Sequence, residues 1–197
     1  MKLPVVIALA AAGGVLAGCS TVKQAQVRPD WATVDALRVK RLVVVTAPFT
    51  EGGEATAQLW SRMARRTVNQ RRDFIAKEEK ALPSLVLATA LCGEGLEGVL
   101  WLRPSLRREG SGVDAKLAAS LHRCVDGEAV WTAEAAGSWQ SLDPEIEGTV
   151  ASFTAGMDAS VQPFAAPSFR LLKATLDTLP NPVLNEQDTD EKIELAE

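Results

Sequence analysis

Few residues in this 197-residue chain have side chains able to do chemistry, and their spacing excludes more than it offers. His122 is the single histidine, so a zinc site would lack partners. It falls in an alternating stretch beside Arg123 and the Asp126-Gly127 pair, where a solvated or locally hydrogen-bonded strand histidine is the expected role. No Gly-x-Ser-x-Gly occurs, so the hydrolase elbow is absent. Gly52-Gly53 stands between a predicted strand and a predicted helix, the right place for a phosphate cradle. The Lys-Ser/Thr that should follow is missing, however, and Glu51 and Glu54 would repel an anion. An enzyme built on carboxylates would need two or more of Asp73, Glu78, Glu97 and Glu134 to converge in one cleft. The most concentrated charge is Arg62, Arg65, Arg66, Arg71 and Arg72. Guanidinium groups suit lipid phosphates or an acidic partner helix, which makes Arg62, Arg65 and Arg66 candidate contact residues. The plainer reading is a solvated helix face neutralised by Glu54, Asp73 and Glu78-Glu79. No catalytic residue, metal site or cofactor site is expected.

The three cysteines carry more information. Met1-Lys2 supplies one positive charge, and an apolar run of Val, Ile, Leu, Ala and Gly follows from Leu3 to Leu16. Such a run matches a signal-peptide core and falls short of the roughly 20 residues of a spanning helix. It ends in Leu16-Ala17-Gly18-Cys19, which resembles the lipobox of bacterial lipoproteins. That resemblance implies that a diacylglycerol alkylates the Cys19 thiol, that a peptidase cuts just before it and that the new amine is acylated. Small residues at 17 and 18 admit the backbone to a narrow peptidase cleft, and cysteine is the side chain nucleophilic enough to take the lipid. Each buried methylene contributes about 0.8 kcal/mol, so several chains on one residue make detachment negligible. Ser20, rather than Asp, follows the cysteine; in these lipoproteins that implies the outer membrane, with the domain in the periplasm. With Cys19 assigned to lipid, Cys92 and Cys124 remain for an oxidising compartment, where the pair is best read as a disulfide. A closed loop of that size contributes about 3–4 kcal/mol in the chain-entropy model. A redox pair is the weaker alternative, because no Cys-x-x-Cys exists.

Composition agrees with one folded module. Hydrophobic residues make up 47%, enough for a core, and the net charge is −4. From Pro180 onward stand six acids (Glu186, Asp188, Asp190, Glu191, Glu194, Glu197) against the single base Lys192, so the acidity belongs to the C-terminal end and the body is neutral. Without a basic excess, nucleic acid is not an expected partner.

The elements that must position these residues follow from periodicity. Residues 19–36 read as a lipidated tether, polar and weakly patterned. Arg41 to Ala47 is a strand, apolar on both faces and so covered on both sides. Glu54 to Arg72 is a helix in which Ala57, Trp60, Met63-Ala64 and Thr67-Val68 recur at helical spacing. A second strand lies at Asp73 to Glu79, parallel to the first across the helical crossover. Pro83 to Cys92 is a short helix. Gly98–Arg108, Val113–Leu121 and Ala129–Gln140 form a three-strand antiparallel meander separated by Arg108-Glu-Gly-Ser-Gly112 and Asp126-Gly127. Helices follow at Ile146–Val161 and Pro167–Leu179, with Pro180 and Pro182 as stops. The expected fold is therefore α/β (α+β): a mixed sheet of about five strands carrying C-terminal helices. Its boundaries are a leader at 1–18, a domain at 37–180 and a disordered acidic tail at 181–197.

This order resembles the small α/β domain of cell-envelope assembly lipoproteins: the N-terminal domain of the Tol system's propeller protein, the curli secretion lipoprotein and the lipoprotein activators of peptidoglycan synthases. The carrying segments are Arg41-Leu-Val-Val-Val-Thr-Ala-Pro-Phe49 and Gly95-Leu-Glu-Gly-Val-Leu-Trp-Leu102. Val27-Arg-Pro-Asp-Trp31 and Leu179-Pro-Asn-Pro182 are similar to a family of predicted bacterial outer-membrane lipoproteins with no assigned activity. The resemblance implies a membrane-anchored, non-enzymatic module that binds another envelope protein. A carrier of a small apolar ligand is the further alternative, and it needs a cavity between helices and sheet.

Overall fold

The computed structural model describes residues 21–49, 51, 53–93 and 95–196. Cys19 and the expected leader at 1–18 lie outside them. Six strands form one sheet: β1 (Val22–Val27), β2 (Arg41–Thr46), β3 (Ile75–Ala81), β4 (Gly98–Glu109), β5 (Gly112–Arg123) and β6 (Ala129–Gln140), in the order β1-β6-β5-β4-β2-β3. Five helices accompany them: α1 (Gly53–Arg71), α2 (Leu85–Thr89), α3 (Glu147–Thr154), α4 (Gln162–Leu176) and α5 (Glu186–Ala196). β2 pairs in parallel with β3 and β4, and β4, β5, β6 and β1 pair antiparallel. The class is the mixed α/β one expected from the sequence.

Alternation decides which side of the meander is covered. On β5, Val113, Ala115, Leu117, Ala119 and Leu121 are buried, whereas Asp114, Lys116, Ala118, Ser120 and His122 take the other face. The buried row meets α1 and α4 through Trp60, Met63, Phe164, Phe169 and Leu172, so the space between helices and sheet is filled by side chains. β2 is apolar on both sides because it is covered on both. Leu42 and Val44 join that main core, while Val43 and Val45 pack with Val99, Trp101 and Ala88 in a smaller cluster that Leu85 of α2 adjoins.

The folded body is longer at both ends than 37–180. Within the expected tether, Val22–Val27 adds the sixth strand, paired with Trp131–Ala135 of β6. Five of its six residues are exposed, so ladder hydrogen bonds, with Val22 packed against the core, hold it. In the expected tail, Glu186–Ala196 is helical and docked against β3 and α1. Its contacts are ionic, which composition alone reads as disorder. Asn185 and Asp188 form a reciprocal cap: Asp188 N–H donates to Asn185 Oδ1 at 2.8 Å and Asn185 N–H to Asp188 Oδ2 at 3.1 Å. A smaller difference concerns Pro167, which lies inside α4 rather than opening it. The carbonyl its missing N–H leaves free belongs to Pro163 in the first turn, and the ring is buried in the core.

Two glycines shape one end of the sheet. Gly110 turns the β4–β5 hairpin at φ +59°, a left-handed conformation that side chains disfavour. The indole of Trp139 lies over Gly137, where an added Cβ would stand 2.3 Å from the ring.

Candidate functional site

The sheet has two ends and one open face, and the candidate residues are distributed among them. At the end carrying the β5–β6 turn, Cys92 and Cys124 are joined, with an S–S separation of 2.07 Å. Beside the bridge, Asp35 is fully buried and accepts from Arg123 Nη1 at 3.0 Å. Arg123 also meets Asp126 and, at 2.9 Å, Glu128, so one guanidinium ties the 3-10 turn at Asp35–Leu37 to the β5–β6 turn. Its pKa is raised, chiefly by the hydrogen bond to Asp126. A surface pocket of about 500 Å³ lies here, lined by Arg38, Val39, Cys92, Leu96, Cys124 and Val125.

The open face of β1, β6, β5 and β4 is polar and shallow. A cleft of about 620 Å³ runs across Gln24, Arg103, Ser120, His122, Thr132 and Glu134. His122 Nδ1 lies 3.0 Å from the Gly127 carbonyl, which can only accept, so Nδ1 carries the proton. In the neutral ring Nε2 then accepts from Ser120 Oγ at 2.8 Å. This is the locally bonded strand histidine that its position implied. The serine was not anticipated, although i, i+2 spacing on a strand places both side chains on one face. β5 pairs along both edges, so its backbone N–H groups are engaged in the ladder rather than aimed at the cleft. The arrangement can donate and accept hydrogen bonds toward a polar ligand.

Arg62, Arg65 and Arg66 of α1 bond to groups of their own chain, while Arg71 is exposed. Arg62 Nη1 donates to the Phe153 carbonyl at 3.2 Å, and Arg66 Nη1 to Ser152 Oγ at 3.1 Å with its guanidinium 5.2 Å from the Phe153 ring. Arg65 Nε donates to the Ala76 carbonyl at 3.0 Å and pairs with Glu79 at 3.6 Å. They therefore fasten α1 to α3 and β3 while lining a pocket of about 320 Å³ with Gln70 and Leu195. The four carboxylates sit on separate elements. Asp73 is exposed at the α1–β3 turn, and Glu78 pairs with Lys80 at 3.2 Å on β3. Glu97 accepts from the backbone N–H groups of Lys40 and Arg41 at 2.7 and 2.9 Å, and Glu134 stands on the open face.

The ionic cluster under α5 went unforeseen. Asp188, with a side chain only 4% exposed, accepts from Lys40 Nζ at 2.6 Å and Arg41 Nη2 at 2.8 Å. Burial pushes its carboxyl upward, but hydrogen bonds from Lys40, the Asn185 backbone and Arg41 outweigh that and hold it at about 2. Glu191 bridges Arg41 and Lys77 at 2.6 and 2.7 Å. Lys192 Nζ reaches the carbonyls of Asn69, Arg72 and Phe74 at 2.5–2.9 Å, capping the C-terminal end of α1. Burial draws its pKa below the usual lysine range.

A single disulfide-bonded α/β domain with one six-stranded mixed sheet is the class these features define. Among solved structures, the chain is similar to a PelC dodecamer from Paraburkholderia phytofirmans, at 14% identity and a TM-score of 0.50, covering 81% of this chain and 97% of that one. It is also similar to lipoprotein GNA1162 from Neisseria meningitidis at 12% identity and a TM-score of 0.36, covering 59% of this chain and 95% of that one. The PelC likeness shows a shared fold. No protein-family model matches the chain, and no curated protein matches it in sequence.

Proposed function

We propose that this chain is a bacterial envelope lipoprotein, held in the outer membrane by acyl groups on Cys19, whose periplasmic α/β domain is a non-enzymatic binding or assembly module. The observation that carries this reading is Leu16-Ala17-Gly18-Cys19 at the end of an apolar leader, followed by a domain whose two other cysteines are bonded to each other. A disulfide of this kind belongs to an exported domain. The fold shared with PelC, a protein crystallised as a dodecamer, and the narrower resemblance to assembly lipoproteins support the module reading. The polar cleft on the open face and the largely apolar pocket at the disulfide end are the places where another envelope component would bind. Crosslinking in intact cells tests the proposal. The expected product is an adduct in the membrane fraction with another envelope component or with further copies of the chain. Recovery of the monomer alone across crosslinkers of different reach would overturn it.

A further inference from the structure

The strand at Val22–Val27 leaves almost no slack between the anchor and the domain. Thr21 already accepts from the Ala136 backbone N–H at 2.9 Å, so the ladder begins two residues after Cys19. Two residues span at most about 7 Å. β1 is antiparallel to β6 and meets it partway along, at Ala135. Traced backward, the chain at Thr21 therefore heads toward the end of the sheet bearing the β4–β5 hairpin and the C-terminal end of β6. Ala136 lies opposite Lys116, and β5 continues four residues beyond it to Gly112, about 13 Å. The hairpin end thus projects about 6 Å past the furthest point Cys19 can reach, within the 5–10 Å over which apolar groups enter the headgroup–acyl boundary.

The side chains at that end fit such a position. Ser141 N–H donates to the Ser111 carbonyl at 3.0 Å, which fixes the segment after β6 at the hairpin tip. The next residue, Leu142, is 83% exposed. Trp139, half-buried over Gly137, lies just behind it. The exposed charges here are of both signs: Arg107 pairs with Glu109 at 3.4 Å, and Arg170 with Asp143 at 2.8 Å and Glu145 at 2.6 Å. The contact is therefore an interfacial one, with Leu142 as its apolar element among mixed polar groups, rather than a cationic patch.

We infer that the β4–β5 hairpin tip and the Trp139–Pro144 segment rest in the bilayer interface beside the anchor, so that the disulfide end of the sheet faces away from the membrane. The inference rests on the lipoprotein reading. β5 spans about 36 Å from one end to the other, enough to separate the two ends by depth. The test uses the full-length lipidated chain in vesicles of phosphatidylethanolamine and phosphatidylglycerol. Single cysteines at exposed positions (Leu142→Cys and Arg108→Cys at one end, Val125→Cys and Leu37→Cys at the other) carry a fluorophore, read against nitroxide lipids. The expected result is loss of most emission at 142 and 108 and retention at 125 and 37, unchanged when phosphatidylcholine replaces phosphatidylglycerol. The reverse pattern, equal quenching at all four or quenching at none with the protein still on the vesicles would overturn the inference and leave the lipoprotein reading standing. The Cys19→Ala control should carry no lipid and leave the vesicles; the same behaviour from the chain with Cys19 intact would overturn both.

Discussion

α4 and α5 are held against the same fold by opposite means. α4 buries Phe164, Phe169, Leu171, Leu172 and Leu176, and its contacts with α1 and the sheet are dispersion and the exclusion of water, with Arg170 paired to Asp143 and Glu145 on its outer side. Among the described side chains of α5 only Asp188 is buried, and the helix engages the domain through Lys40, Arg41, Lys77 and the carbonyls above Lys192. An apolar seam responds little to salt or pH, whereas a partly buried ionic one depends on every member keeping its charge. The first helix should therefore belong to the cooperative core and the second should release on its own.

The sharpest way to break this comparison is to weaken each helix separately. Phe169→Ala removes a buried ring that packs 5.9 Å from Phe153, and it should lower global stability by about 3–5 kcal/mol. Denaturant unfolding should show one earlier transition for the whole domain. Asp188→Ala leaves Lys40 and Arg41 without their buried partner, and removing one member of a buried pair costs about 3–5 kcal/mol. Here the loss should be confined to docking: hydrogen exchange should accelerate across α5 and at the α1 C-terminal carbonyls that Lys192 caps, with the main transition nearly in place. A uniform loss of protection would refute the separation.

Acid offers a milder version of the same experiment. The Asp188 carboxyl is held below its ordinary value, so its contribution is present above the unfolded-state value of about 3.8 and declines as pH falls through about 2. Between those values α5 should loosen while α4 stays protected, and added salt should move the release to higher pH. Exchange measured across that window checks both statements.

The same contrast explains which parts were legible beforehand. β2, α1, the meander and α4 announced themselves because burial imposes a period of two or 3.6 on apolar residues. Val22–Val27 had no such period, since five of its residues face solvent and the ladder with β6 sets it as a strand. α5 looked like a solvated acidic tail, yet the Asn185-x-x-Asp188 spacing is a capping pattern that could have exposed it. At the candidate sites, cysteine parity foretold the Cys92–Cys124 bridge. The arginine cluster was visible as charge, but its acceptors at Phe153 and Ala76 are backbone carbonyls that no side-chain pattern reveals. Ser120 beside His122 was readable from strand spacing and was missed for want of a recognised motif.

The proposed compartment, anchoring and orientation all depend on the thiol of Cys19. Intact-mass analysis of the membrane-extracted protein tests its modification most directly. The expected result is a chain beginning at Cys19 that carries diacylglycerol and an N-acyl group, with Cys92 and Cys124 oxidised. A chain retaining residues 1–18, or one with an unmodified Cys19, would contradict it.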